Sequence, residues 1–216
     1  WYETGESPSL PFKRIGPYQL IEHLGSGGLG DVYLAEQEEP IRRKVAVKLI
    51  KAGMVTVEVA ARFRSEIRAL GILDHPNIAR TLDAGTISED RPYCVMEYVP
   101  GIAITEYCDR NRLTIRERLQ MFVQLCRAIQ HAHDRGIIHR DIKASNVLVT
   151  VQDGVAVPKI IDFGVVKAAH QRLTDEPAVT LHGELVGTPE YMSPEQAEML
   201  GLDIDIRTDV YSLGVL

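Results

Sequence analysis

The sequence predicts an α+β fold in two parts, β-rich over residues 17–100 and mainly helical over residues 101–216. Three observations predict it. Short apolar and β-branched runs recur before Pro100-Gly101, at residues 18–24, 32–35, 45–50, 78–85 and 93–99, separated by glycine-rich or polar turns. Within that half only residues 57–73 carry helical spacing. Beyond it the pattern changes, because Thr114-Ile115-Arg116-Glu117 is a capping box that opens a long helix.

Residues 1–16 carry Gly5, Pro8, Pro11 and Gly16 with little periodicity and read as a leader or linker. The strand at 18–24 places Tyr18, Leu20 and Leu24 on one face. Gly25-Ser26-Gly27-Gly28-Leu29-Gly30-Asp31-Val32 follows, with its glycines as G-x-G-x-x-G. Such a loop lets backbone N–H groups approach phosphates without interference from Cβ. The same spacing fits a dinucleotide-binding turn, but that needs a helix at the last glycine. Here Val32-Tyr33-Leu34-Ala35 reads as a strand, so a flap over a nucleotide is favoured.

Lys48 interrupts the apolar run 45–50, and an amine there must find an anion or reach water. In the 57–73 helix Val59, Phe63, Ile67 and Leu70 recur at spacings of 4, 4 and 3, Thr56 can cap it, and Asp74-His75-Pro76 ends it. Glu66 lies beside that stripe and can face Lys48; the alternative is a solvated helix glutamate. The capping-box helix runs to about Arg135, with Leu119, Phe122, Cys126 and Ile129 on one face and Gly136 as its stop. His131 and His133, two apart, point in different directions on a helix and read as structural rather than as a metal pair.

His139-Arg140-Asp141-Ile142-Lys143-Ala144-Ser145-Asn146 comes next. A carboxylate, a lysine two residues on and an amide five residues on suit phosphoryl transfer, whose catalysis is mostly positioning and charge neutralisation. A strand at 147–149 and an Asp153-Gly154 turn return the chain to Lys159-Ile160-Ile161. Asp162-Phe163-Gly164, a long polar stretch, and Gly187-Thr188-Pro189-Glu190-Tyr191-Met192-Ser193-Pro194-Glu195 complete the pattern.

Composition bounds the partners. Charged residues are 25% and hydrophobic ones 45% of the 216, an ordinary globular balance. The net charge of −6 argues against nucleic-acid binding. No apolar run approaches the roughly 20 residues of a membrane span, and no signal peptide is visible. Cys94, Cys108 and Cys126 form no C-x-x-C pair and suit packing in a reducing, cytoplasmic setting. The start at Trp1 and the stop at Leu216 inside an apolar segment read as a piece of a longer protein, whose further part could include a membrane anchor.

The glycine loop, Val45-Ala46-Val47-Lys48, the 139–146 loop, Asp162-Phe163-Gly164 and Ser193-Pro194-Glu195, in this order, resemble the protein-kinase family. Within it the loop interior and the 187–197 run are similar to bacterial, eukaryotic-type Ser/Thr kinases. The resemblance covers about residues 18–216 and implies a bilobal kinase fold, with an N-lobe at 17–100 and an incomplete C-lobe at 101–216. It implies ATP-dependent phosphorylation of Ser/Thr hydroxyls on protein substrates, with Mg²⁺. Asp141 would orient the substrate hydroxyl, Asn146 and Asp162 would hold Mg²⁺, Lys48 held by Glu66 would bind the α/β-phosphates, and Lys143 would lie near the γ-phosphate. The nucleotide would be lined by Leu24, Gly25, Ser26, Gly27, Gly28, Leu29, Gly30 and Val32, by Ala46 and Lys48, by Met96 as gatekeeper with Glu97 and Val99, and by Leu148. His133 would bond Asp209.

Arg140 would sense a phosphate on the activation loop, with Thr180 and Thr174 as candidate phosphosites and self-association as the route for trans-autophosphorylation. Thr188 would act through its hydroxyl beside the substrate. Four positions depart from the family pattern: Leu29 at the loop tip, Thr81 in the stack through Leu70, His139 and Phe163, Ala144, and Ser193 in place of alanine. Glu195 would pair with an arginine beyond Leu216. The alternative for this fragment is a nucleotide-binding, non-catalytic piece.

Overall fold

Strand-forming runs before residue 100 assemble into one antiparallel sheet. The computed structural model describes residues 12–27, 30–51, 57–87, 91–164, 189–197 and 204–216, the side chains of 57–62 excepted. Its strands are β1 (Arg14–Ile15), β2 (Tyr18–Ser26), β3 (Gly30–Gln37), β4 (Arg43–Ile50), β5 (Thr81–Ile87) and β6 (Arg91–Glu97). They lie in the order β1-β2-β3-β4-β6-β5. Ile15 pairs with Tyr18 and is buried, so the end of the expected 1–16 leader belongs to the sheet.

Tyr18 and Leu20 are buried as expected, but Leu24 is 42% exposed. Register shifts between Leu20 and Glu22 and between His23 and Gly25 break the period of two, so Leu24 leaves the core face. Tyr18, Leu20, Tyr33, Val45, Val47 and Val95 form the sheet's own apolar cluster. The expected strand at 78–85 starts three residues later. Ile78 bridges Ile160 in parallel instead, with Ala79 N–H donating to Ile160 O at 2.9 Å and Ile160 N–H to Asn77 O at 2.8 Å. Helix α1 (Val57–Leu70) buries Phe63, Ile67 and Leu70 as its spacing requires; Thr56 lies outside the described residues.

The second part contains β7 (Ile102–Ala103), α2 (Ile104–Arg110), α3 (Ile115–His133), β8 (Val147–Gln152), β9 (Val155–Ile160), α4 (Pro194–Ala197) and α5 (Ile206–Val215). Asp153 and Gly154 both have positive φ, 49° and 79°, as a two-residue hairpin turn between β8 and β9 demands. The α3 capping box forms: Glu117 N–H donates to Thr114 Oγ1 and Thr114 N–H to Glu117 Oε2.

Its buried face is turned from the expected one. Met121, Leu125, Ala128, Ile129 and Ala132 are buried, whereas Leu119 is 55% exposed and Phe122 and Cys126 are half-buried. Alanines at 128 and 132 let the helix approach its neighbours closely, so the contact face follows small residues rather than the largest apolar ones. One cluster then runs from Phe63, Ile67 and Leu70 on α1 through Ile78 to Leu125, Ile129, Ile142 and Phe163, joining both parts. No helix among the described residues is long and apolar enough to cross a membrane.

Candidate active site

The 139–146 loop is held from beneath by the side chain of Asp209. Asp209 on α5 is fully buried and accepts from His133 Nε2, His139 N–H and Arg140 N–H, each at 2.8 Å. Burial alone would raise its carboxyl, but the His133 bond, the neighbouring His139 ring and the two backbone donors hold it below the ordinary carboxylate range. Arg140 bends at φ 65°, and Gln196 Nε2 on α4 donates to its carbonyl at 3.0 Å. His139 is buried with Nδ1 accepting from Asp141 N–H and Nε2 donating to Ile161 O. Burial pushes its pKa down and outweighs the surrounding carboxylates, so the ring is neutral.

This scaffold presents Asp141, Lys143 and Asn146 together. Asn146 Nδ2 donates to Asp141 O at 2.8 Å and Asp141 Oδ2 at 3.1 Å. Lys143 Nζ lies 3.3 Å from the same carboxylate oxygen. Across the cleft Lys48 Nζ on β4 lies 2.5 and 2.6 Å from the two oxygens of Asp162. Burial disfavours the Lys48 ammonium, and the Asp162 charge more than restores it.

The expected Lys48–Glu66 pair is therefore replaced. A desolvated ammonium takes the carboxylate against it, and Asp162, bent at φ 57°, supplies both oxygens. Glu66 is half-buried on α1 beside Phe63 and Ile67. Below it Phe163 packs on the His139 ring, centroids 4.4 Å apart, and with Leu70 and Thr81 it lines a small cavity behind Met96.

Between the two parts lies a cleft of about 560 Å³. Leu24, Gly25, Ser26, Gly27, Gly30 and Val32 line its upper side with Ala46 and Lys48. Met96, Glu97 and Val99 form its back, and Asp141, Lys143, Asn146, Leu148 and Asp162 its floor. Gly28 and Leu29, and Thr174, Thr180 and Thr188, lie outside the described residues. Gly101 and Ile161 also line the cleft and were not expected. At Gly101 an added Cβ would sit 2.5 Å from Val149 O, so only glycine fits.

Lys159 is the larger omission. It is buried on β9, and its Nζ lies 2.7 Å from Glu97 Oε1 in the segment linking the two parts. The sequence disguised it among apolar neighbours, and its partner is 62 residues away. Glu195, expected to pair beyond Leu216, accepts a hydrogen bond from the buried Thr208 hydroxyl at 2.6 Å.

Asn146 and Asp162 offer an amide oxygen and a carboxylate, hard ligands that suit Mg²⁺ when phosphate oxygens complete the shell. Among the described residues no group of three or more His, Cys, Asp or Glu gathers to hold a metal by itself.

Serine/threonine-protein kinase PknA of Mycobacterium tuberculosis is 40% identical over 216 residues, covering 97% of this chain and 48% of that protein. Serine/threonine-protein kinase Pkn1 of Myxococcus xanthus is 38% identical over 205 residues, covering 94% of this chain and 28% of that protein. The chain thus spans between about a quarter and a half of such curated relatives. The crystal structure of the Mycobacterium tuberculosis PknI kinase domain superposes with a TM-score of 0.69 at 27% identity, over 93% of this chain and 72% of that one. The family profile described as protein kinase domain matches residues 18–216, and the chain belongs to the protein kinase family.

Proposed function

We propose that the protein transfers the γ-phosphate of ATP to serine and threonine hydroxyls of protein substrates. The observation that carries this reading is the meeting, in one cleft, of Asp141, Lys143 and Asn146 with the Lys48–Asp162 pair. Adenine enters against Ala46 and Leu148, with its edge toward the backbone of Glu97 and Val99. The glycine loop covers the phosphates with backbone N–H groups.

Asp141 accepts or orients the attacking hydroxyl, and Lys143 beside it offsets charge on the transferring group. Lys48 passes from the Asp162 carboxylate toward the α/β-phosphates. Asn146 Nδ2 is committed to Asp141, which leaves its Oδ1 for Mg²⁺ together with Asp162. Mg²⁺ held by these two residues would supply charge neutralisation for the phosphates. The preference for Ser/Thr is supported by the names of the relatives; Thr174 and Thr180 are proposed as sites of self-phosphorylation between copies.

The test is transfer of labelled γ-phosphate to a generic protein substrate by the full-length protein, against Asp141→Asn. Removing the group that positions the nucleophile should lower kcat by at least 100-fold, with ATP affinity nearly unchanged. Equal labelling by both proteins would refute the proposal.

A further inference from the structure

The proposed phosphate flap is fastened at its neck by side chains. Ser26 and Asp31 are the last register partners of β2 and β3 before the glycine tip. The Ser26 hydroxyl donates to Asp31 Oδ1 at 2.7 Å, and His23 Nε2 lies 3.1 Å from Ser26 Oγ. With that hydroxyl proton on Asp31, the serine oxygen accepts from His23 Nε2–H. The His23 ring is set by an edge contact with Tyr33, centroids 5.2 Å apart. Lys51 Nζ donates to Gly27 O at 2.9 Å and ties the same loop to the end of β4.

We infer that His23, Ser26 and Asp31 form a clasp that holds the flap at its working height over ATP, with Asp31 as a positioning residue. This rests on the kinase reading of the cleft. Two features make side-chain ties necessary here. Glycine-rich backbone loses more freedom on ordering than any other, and the β2–β3 ladder is already irregular between His23 and Gly25. The Ser26 hydroxyl has also committed its only proton to a carboxylate, so it has none left to donate to a phosphate. Asp31 itself does not line the cleft. Its influence on nucleotide must therefore pass through Ser26 and the loop backbone.

The experiment measures KM for ATP and kcat of the full-length protein for Asp31→Ala, Ser26→Ala, the double variant and Asp31→Asn. Loss of one solvent-exposed hydrogen bond predicts a rise in ATP KM of about five- to tenfold for each single alanine variant. kcat should move less than twofold. The double variant should be no worse than the worse single one, since both break the same clasp. Asp31→Asn keeps an acceptor and should stay near wild-type KM.

A KM effect of Ser26→Ala with Asp31→Ala at wild-type values would overturn the clasp, because the serine would then act on phosphate directly. Additive losses, or no loss in either single variant, would overturn it too. Dissociation constants for a fluorescent ATP analogue, measured on the same variants, separate the two proposals. Weakened binding in the variants of a protein that transfers no phosphate keeps the clasp and refutes only the kinase reading. Unchanged binding refutes the clasp.

Discussion

A carboxylate can be fully buried when donors surround it, and Asp209 has three. Two of them are consecutive backbone N–H groups of the 139–146 loop, so the loop's path is set by an acceptor on a helix 70 residues away. Asparagine at 209 would keep one acceptor oxygen and turn an NH₂ toward a donor. Leaving a buried donor unsatisfied costs about 1–3 kcal/mol, so Asp209→Asn should lower unfolding free energy by about that much at pH 7. The pH dependence has a definite sign. Because the folded carboxyl lies below its unfolded value of about 3.9, its stabilisation is complete above that value and is lost as pH falls through the lower, folded one. Urea melts should show the deficit of the variant undiminished from pH 7 to 5 and shrinking below pH 4. A deficit that stays constant to pH 2.5 would mean that Asp209 does not act through its charge.

At the scale of elements, local chemistry was legible and long-range pairing was not. Thr114 and Glu117 satisfy each other's donors within four residues, so the start of α3 could be read from sequence. Thr114→Ala should cost about 0.5–2 kcal/mol in a urea melt, and a variant as stable as wild type would mean that water satisfies the helix end equally well. The buried face of the same helix depends on which neighbours approach Ala128 and Ala132, and no local pattern encodes that. The same holds for Ile78 and Ala79. Their apolar character read as the start of β5, whereas the fold spends Ile78 on a bridge to β9. Leu24 failed for a third reason: bulges in β2 reset its face.

The described residues form two parts that meet across a cleft, and its residues were nearly all legible because the proposed phosphoryl transfer constrains their types and order. Every described residue expected to touch nucleotide lines it. The illegible remainder is how the parts are held together. Asn77 Nδ2 donates to Pro158 O at 2.7 Å, and Lys159 on β9 holds Glu97 at the end of β6, where Arg80 N–H also donates to the carboxylate at 3.2 Å. The Lys159 side chain is 10% exposed and that of Glu97 30%, so the pair is largely desolvated. Breaking such a pair from one side strands the other charge, whereas replacing both with apolar groups removes the desolvation cost as well. Lys159→Met should therefore lower stability by about 1–3 kcal/mol, the cost of an orphaned buried group. Lys159→Met combined with Glu97→Leu should recover at least half of that loss. Urea melts of the two singles and the double complete the cycle. If the double variant loses as much as the two singles added together, Lys159 and Glu97 are not coupled, and they do not link the two parts as a pair.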